Sequence, residues 1–213
     1  MTKLFTALAL VLATFTPLAQ ADASGSIGYE SDYFFRGASQ GSDPALQMNL
    51  HLQNENGWFA GVWASQVDLM DAAWEHDFYG GYALSVTEDF GVIGGVIHYD
   101  YDEKWMKIGP DNSGGLDDIT EGFVGVYYDN LELTYYVDVD NTDLDYLEFG
   151  YQLPFISMID LELNYGRFGD GENVVGMTAS KDIGQWGFSL MVLEEARHGE
   201  FMDNASFGIH YNF

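Results

Sequence analysis

Ala205-Ser206-Phe207-Gly208-Ile209-His210-Tyr211-Asn212-Phe213 alternates at every step. Successive side chains of an extended strand point to opposite faces. Ala205, Phe207, Ile209, Tyr211 and Phe213 therefore share one face, and Ser206, Gly208, His210 and Asn212 the other. One face is apolar and the other is small or polar. The pattern recurs upstream. Leu131, Leu133, Tyr135, Val137 and Val139 stand opposite Glu132, Thr134, Tyr136, Asp138 and Asp140, and Ile159, Leu161, Leu163 and Tyr165 opposite Asp160, Glu162 and Asn164. Period two marks half-buried strands, and no segment competes at a helical period.

Twelve such strands are expected, over about 24–37, 44–54, 57–69, 73–87, 91–103, 118–128, 131–140, 144–153, 159–168, 173–182, 185–195 and 203–213. A soluble sandwich and a membrane barrel both alternate, but these segments reach the roughly ten residues of a tilted membrane strand. Every second connection is short, as at Asn54-Glu55-Asn56, Glu88-Asp89-Phe90, Asp129-Asn130 and Ile183-Gly184. The others include the longer Lys104 to Asp117 and Ala196 to Met202. Short inner turns, long outer loops and an even strand count specify an all-β, antiparallel, up-and-down transmembrane barrel. Trp58, Tyr99, Tyr101, Tyr128, Tyr165 and Trp186 near strand ends suit interfacial girdles, the alternative being aromatic packing in a sandwich core. Closure would also hold together a chain that has no cysteine.

The first residues set the compartment. Lys3, the apolar run Leu4 to Phe15 and Ala19-Gln20-Ala21 read as a cleaved secretory signal over 1–21, leaving a barrel domain over 22–213. The run is shorter than the roughly 20 residues of a spanning helix. The expected destination is the outer membrane of a Gram-negative bacterium. The 213 residues carry 34 Asp and Glu against 7 Lys and Arg, a formal charge of −27, with 16% aromatics. Disordered acidic chains are poor in aromatics, so disorder is disfavoured. Scattered cations give no basic face, which excludes nucleic acid as a partner.

Phe207, Ile209, Tyr211 and Phe213 resemble the carboxy-terminal signal by which barrel assembly machinery recognises outer-membrane clients. A second resemblance lies in Ser31-Asp32-Tyr33-Phe34-Phe35-Arg36-Gly37, Ser39-Gln40, Pro44-Ala45-Leu46-Gln47 and Gly57-Trp58-Phe59-Ala60-Gly61-Val62-Trp63-Ala64-Ser65. These residues are similar to the proteobacterial Gcw_chp family, largely uncharacterised and regarded as porins, with Glu75, Asp77, Tyr79 and Gly80 resembling its next block. The resemblance implies an outer-membrane barrel and passive transport, without an established substrate or catalytic residues. Tyr99-Asp100-Tyr101-Asp102 is more acidic than it would lead one to expect.

Under this topology most of the carboxylates fall on the outer loops and adjoining strand ends. Asp100, Asp102, Asp117 and Asp118 mark an acidic outer mouth, and Glu30, Asp32, Arg36, Glu75, Asp77, Asp138, Asp140 and Arg167 are pore-lining or constriction candidates. Arg36 and Arg167 are expected near outer strand ends, paired with Glu30, Asp32 or neighbouring acids, either setting a constriction or plugging the barrel with a salt bridge. A mouth lined by acids concentrates cations, so a weakly cation-preferring pore for ions or small solutes is expected. Two alternatives stand beside it: a solvated anti-aggregation surface, and a non-conducting structural, adhesive or receptor barrel acting through acidic loops. Outer-membrane lipid, lipopolysaccharide and the assembly machinery are the expected partners. No cofactor, metal or catalytic residue is expected: the five histidines lack ligand spacing, no Gly-x-Ser-x-Gly elbow occurs, and Asp111 to Asp118 lacks the order of a calcium loop. A lipid hydrolase built on a Ser-His pair is the enzyme alternative.

Overall fold

The computed structural model describes residues 21–41, 44–69, 72–103, 118–139, 145–154, 157–197 and 200–213. The expected leader lies outside them apart from Ala21, as do Asp117, Asp140 and the connection 104–117. The elements are β1 (Ala21–Glu30), β2 (Phe34–Phe35), β3 (Ala38–Ser39), β4 (Ala45–Asn54), β5 (Trp58–Leu69), β6 (Ala72–Ser85) and β7 (Phe90–Glu103). They continue with β8 (Ile119–Tyr128), β9 (Leu131–Asp138), β10 (Asp145–Gln152), β11 (Asp160–Phe168), β12 (Asn173–Ile183), β13 (Trp186–Arg197) and β14 (Glu200–Asn212). Twelve of them, β1 and β4 to β14, form a closed antiparallel barrel in which each strand pairs with its sequence neighbour, and β1 closes it against both β4 and β14. Gly25 and Phe213 seal that seam with reciprocal backbone bonds of 3.0 Å. Closure gives each of the twelve barrel strands a partner on both sides, which is what an apolar surrounding demands.

Eleven expected strands coincide with observed ones to within a few residues. The first does not: alternation runs on through Tyr29, Ser31, Tyr33 and Phe35, yet β1 stops at Glu30. Arg36 (φ 48°) and Gly37 (φ 90°) both take left-handed conformations, as a tight two-residue hairpin turn requires. β2 and β3 are the arms of that hairpin, paired Phe34 to Ser39 and Phe35 to Ala38.

The barrel's two faces separate by chemistry. On β9, Leu131, Leu133 and Tyr135 are exposed on the outer surface while Thr134 and Asp138 are buried in the lumen. Exposed Val124 and Val126, Leu163 and Tyr165, and Leu190 and Val192 continue the apolar belt around the wall. A belt this continuous is the solvent match for lipid. Trp58 packs edge-on against Tyr82 and Trp186 against Tyr211, both on the outer surface beside the short turns, as a girdle would. Tyr99 and Tyr101 correct the girdle expectation: on β7 the odd-numbered residues face the lumen, where Tyr99 is buried beside the hairpin.

Candidate functional site

The connection between β1 and β4 does not stand outside the barrel; it folds into the lumen just below the outer rim. Ser31 N donates to Phe207 O, and Gln40 N to Tyr33 O, while Asp68 N donates to Gln40 O. These bonds turn the chain inward and hold its return. Tyr33 then packs on Trp63 of β5 at 5.1 Å and Phe35 on Tyr99 of β7 at 5.5 Å. Gly37 lies against β12 and β13, where a Cβ would come within 2.7 Å of Val174 Cγ2 and 3.4 Å of the Glu195 carboxyl carbon. No residue but glycine fits that approach.

Arg36, at the tip, meets the opposite wall. Its Nη1 and Nη2 donate to Glu121 Oε1 and Oε2 at 2.7 Å each. Tyr99 OH donates to Glu121 Oε2 at 2.9 Å. The guanidinium also lies over the rings of Phe35, Tyr136 and Tyr146 at 4.8, 4.9 and 4.4 Å. Burial alone would lower the Arg36 pKa, but its bonds and charge pairing with Glu121 raise it, so the cation is fixed. Burial, and then the charges of Glu75 and Asp77, push the Tyr33 hydroxyl up.

The hairpin divides the lumen. Outside it is a cavity of about 210 Å³ lined by Phe35, Arg36, Tyr99, Tyr101, Glu121 and Asp138 among others. Inside it is one of about 460 Å³ lined by His51, Phe59, Tyr79, Ile93, Phe123 and Tyr136 among others. Tyr136 lines the inner cavity while carrying Arg36 of the outer one.

Several candidates come together here and others do not. Glu75, Asp77 and Asp138 are buried on the lumenal face. Arg36 is in the lumen too, but on an infolded turn, and its partner is Glu121 of β8 in place of Glu30 or Asp32. Glu30 faces inward from β1, with its Oε2 3.1 Å from Ser206 Oγ. Asp32 is taken up by the hairpin itself, its Oδ1 accepting from Ser39 Oγ at 2.8 Å. Arg167 is a correction: it lies exposed on the outer surface of β11, on the face of Leu163 and Tyr165. The parity of β11 puts Asn164, Gly166 and Phe168 inside. Asp100 and Asp102 are likewise on the outer surface of β7. Asp102 Oδ1 accepts from Ala73 N at 2.9 Å and Trp74 N at 2.6 Å, spanning the irregularity between β6 and β7. It closes a bulge and does not line the mouth. Asp118 is exposed at the entry to β8. Phe207, Ile209, Tyr211 and Phe213 share the outward face of β14 and the chain beyond it.

Sequence reasoning placed Glu121 and Glu195 only among the acids of the outer loops and strand ends, and did not single out Tyr33, Tyr136 or Tyr146. The parity of β8, where Glu121 shares a face with Phe123 and Gly125, already marks Glu121 as lumenal. Beyond the adjacent Phe35, the aromatic bed of Arg36 had no local signal, since Tyr136 and Tyr146 come from strands distant in sequence.

A family described as "Bacterial protein of unknown function (Gcw_chp)" has a model that matches residues 15–203. Among solved structures, "KdgM porin" is similar at 11% identity, with 89% of this chain and 99% of that one covered and a TM-score of 0.62. "KdgM porin in complex with disordered oligogalacturonate" is similar at 12% identity over 89% and 99%, with a TM-score of 0.63. A NanC porin is similar at 11% identity over 90% and 99%, with a TM-score of 0.53. These likenesses show the porin-type barrel fold. No functionally curated protein matches the chain.

Proposed function

We propose, from the premise that the chain belongs to the Gcw_chp family, that it is an outer-membrane porin for passive diffusion of cations and small solutes, with a preference for cations. The observation that carries this reading is the charge of the lumenal wall. Glu30, Glu132, Glu148, Glu162, Asp182 and Glu195 lie on inward-facing positions, with further carboxylates around the hairpin. Among the residues whose side chains are described, Arg36, on the infolded hairpin, is the only Lys or Arg in the lumen, and Glu121 offsets its charge. A narrow acidic passage with low-dielectric walls focuses a negative potential that accumulates cations, reaching about 8 Å at physiological salt.

The same wall bears on the solute. Oligogalacturonate, named with one KdgM structure, is a polycarboxylate, and a lumen of carboxylates would repel it. Cations and uncharged molecules are favoured here over acidic sugars. The apolar belt supports contact with outer-membrane lipid and lipopolysaccharide. Phe207, Ile209, Tyr211 and Phe213, facing outward from the last strand, are available to the assembly machinery before the barrel closes. Reconstitution into planar bilayers under a potassium chloride gradient tests the reading. A reversal potential of cation-selective sign is expected, and one of anion-selective sign would overturn it.

One observation favours a second reading. The hairpin reaches from β5 across to β8 and β13, and a barrel stopped there would serve as a structural, adhesive or receptor protein through its outer loops. Folded protein that gives no stepwise conductance, with or without Arg36, would select it.

A further inference from the structure

Two carboxylates beneath the hairpin have no counter-charge among the described residues. Glu75 is fully buried and Asp77 is 7% exposed. Yet Glu75 Oε2 and Asp77 Oδ1 have no hydrogen-bond partner among the described residues. They sit two residues apart on the inward face of β6, so their backbones are about 7 Å from one another. Arg36, the one guanidinium in the lumen among the described side chains, has both Nη atoms committed to Glu121. An ionised carboxylate buried without a cation is strongly disfavoured, and this pair compounds that with mutual repulsion.

The surroundings narrow what answers the charge. Glu75 Oε1 accepts from Tyr101 OH at 3.2 Å, which holds it as an acceptor. The Tyr33 phenol faces the pair from the hairpin. Across the sheet Glu75 is registered with Ser65 and Tyr101, and Asp77 with Trp63 and Tyr99. The donor set is therefore oxygen alone, from carboxylates and phenols. No third carboxylate and no imidazole joins it to make a larger metal cluster among the described residues. Oxygen donors carrying two negative charges suit a hard divalent cation, with water completing the shell.

We propose that Glu75 and Asp77 bind one calcium-class divalent cation between β6 and the infolded hairpin. This inference rests on the reading of the lumen as a water-filled acidic path, since the ion must reach the pair from one of its mouths. Two protein carboxylates make a weak site, of the order of 0.1 to 1 mM by analogy with sparsely liganded extracellular calcium modules. Bound there, the ion would tie the hairpin to β6, two strands along the wall from Glu121 on β8.

Terbium(III) is the probe, because phenols within the site can sensitise its luminescence. The full chain, folded in detergent micelles, is titrated with terbium under excitation of tyrosine. Saturable emission displaced by calcium is expected, with Glu75→Gln and Asp77→Asn each weakening terbium binding at least tenfold. Glu55→Gln, in an exposed turn, should leave it unchanged. Heat-modifiable gel migration checks that each variant is folded. If Glu75→Gln is not, Asp77→Asn carries the comparison, and calcium must also raise the unfolding temperature of the unaltered chain. Absent emission, emission indifferent to Asp77→Asn, or a pair that holds only a proton and shows no calcium effect would overturn the site. Cation-selective current without pair-dependent emission overturns the site alone. Pair-dependent emission without current overturns the pore reading alone.

Discussion

Arg36 and Glu121, 85 positions apart in the chain, are joined by two parallel bonds of 2.7 Å. The pair spans the lumen, from the tip of a turn to the wall of β8. A guanidinium and a carboxylate in this fork arrangement fix orientation as well as distance. Three aromatic rings pack around the guanidinium, so this pair sets where the hairpin stands and how wide the passage beside it is.

Arg36→Gln removes the fork and leaves Glu121 buried without its cation, at a cost of about 3 kcal/mol. The hairpin is expected to loosen, raising single-channel conductance about twofold or more. Losing this lumenal guanidinium also moves the reversal potential further toward cations. Glu121→Gln has the opposite sign, because it frees a positive charge in the passage. Arg36→Lys keeps the charge but not the fork, so selectivity should stay while conductance noise increases. Bilayer recording of the three variants separates charge from geometry.

Gly37→Ala tests the approach of the hairpin to the far wall. A left-handed backbone costs a non-glycine residue about 1 kcal/mol, and here the added methyl also meets Val174. Gly171 has a similar φ of 96° but open space around it, so Gly171→Ala carries the backbone term alone. The denaturant midpoint should fall further for Gly37→Ala than for Gly171→Ala. Equal shifts would mean that the hairpin does not press on β12.

The inner half of the lumen gives a separate handle on selectivity. Glu162 accepts from Gln152 Nε2 and Asn164 Nδ2, and Thr134 Oγ1 lies 3.3 Å from Glu132 Oε1. These acids accept from neutral donors, and among the described residues neither has an ion pair. Replacing Glu132, Glu148 and Glu162 together by Gln should reduce cation preference in the reversal potential while leaving the barrel folded, since Gln retains an acceptor at each site.

Twelve strands, their parity and the closure of the sheet were legible because a strand's period survives in local sequence. Where the chain left the wall, that signal misled. Tyr29, Ser31, Tyr33 and Phe35 keep the alternation while the backbone turns inward, and Arg36-Gly37 lacks the Asn-Gly form by which such turns are recognised. Arg36 itself could be singled out as a lumenal charge, but its partner could not, because pairing across a barrel depends on shear and tilt. Arg167 went astray for a simpler reason. On β11 the apolar residues are odd-numbered, and Arg167 shares their parity although its charge suggested the lumen.

Arg167 and Asp102 should therefore behave unlike lumenal charges. Both lie toward the outer ends of their strands and point away from the passage, with the barrel wall between them and a permeating ion. Arg167→Gln is expected to leave the reversal potential in place. Any effect should appear instead in binding to lipopolysaccharide, whose phosphates a cation at that height can meet. Asp102→Ala removes the acceptor of two backbone N–H groups at a sheet irregularity, and each lost bond costs about 1 kcal/mol. The denaturant midpoint should fall accordingly while the sign and size of selectivity persist. A selectivity change from either substitution, in protein shown by gel migration to be folded, would mean that the outward faces of β7 and β11 are assigned to the wrong side of the wall.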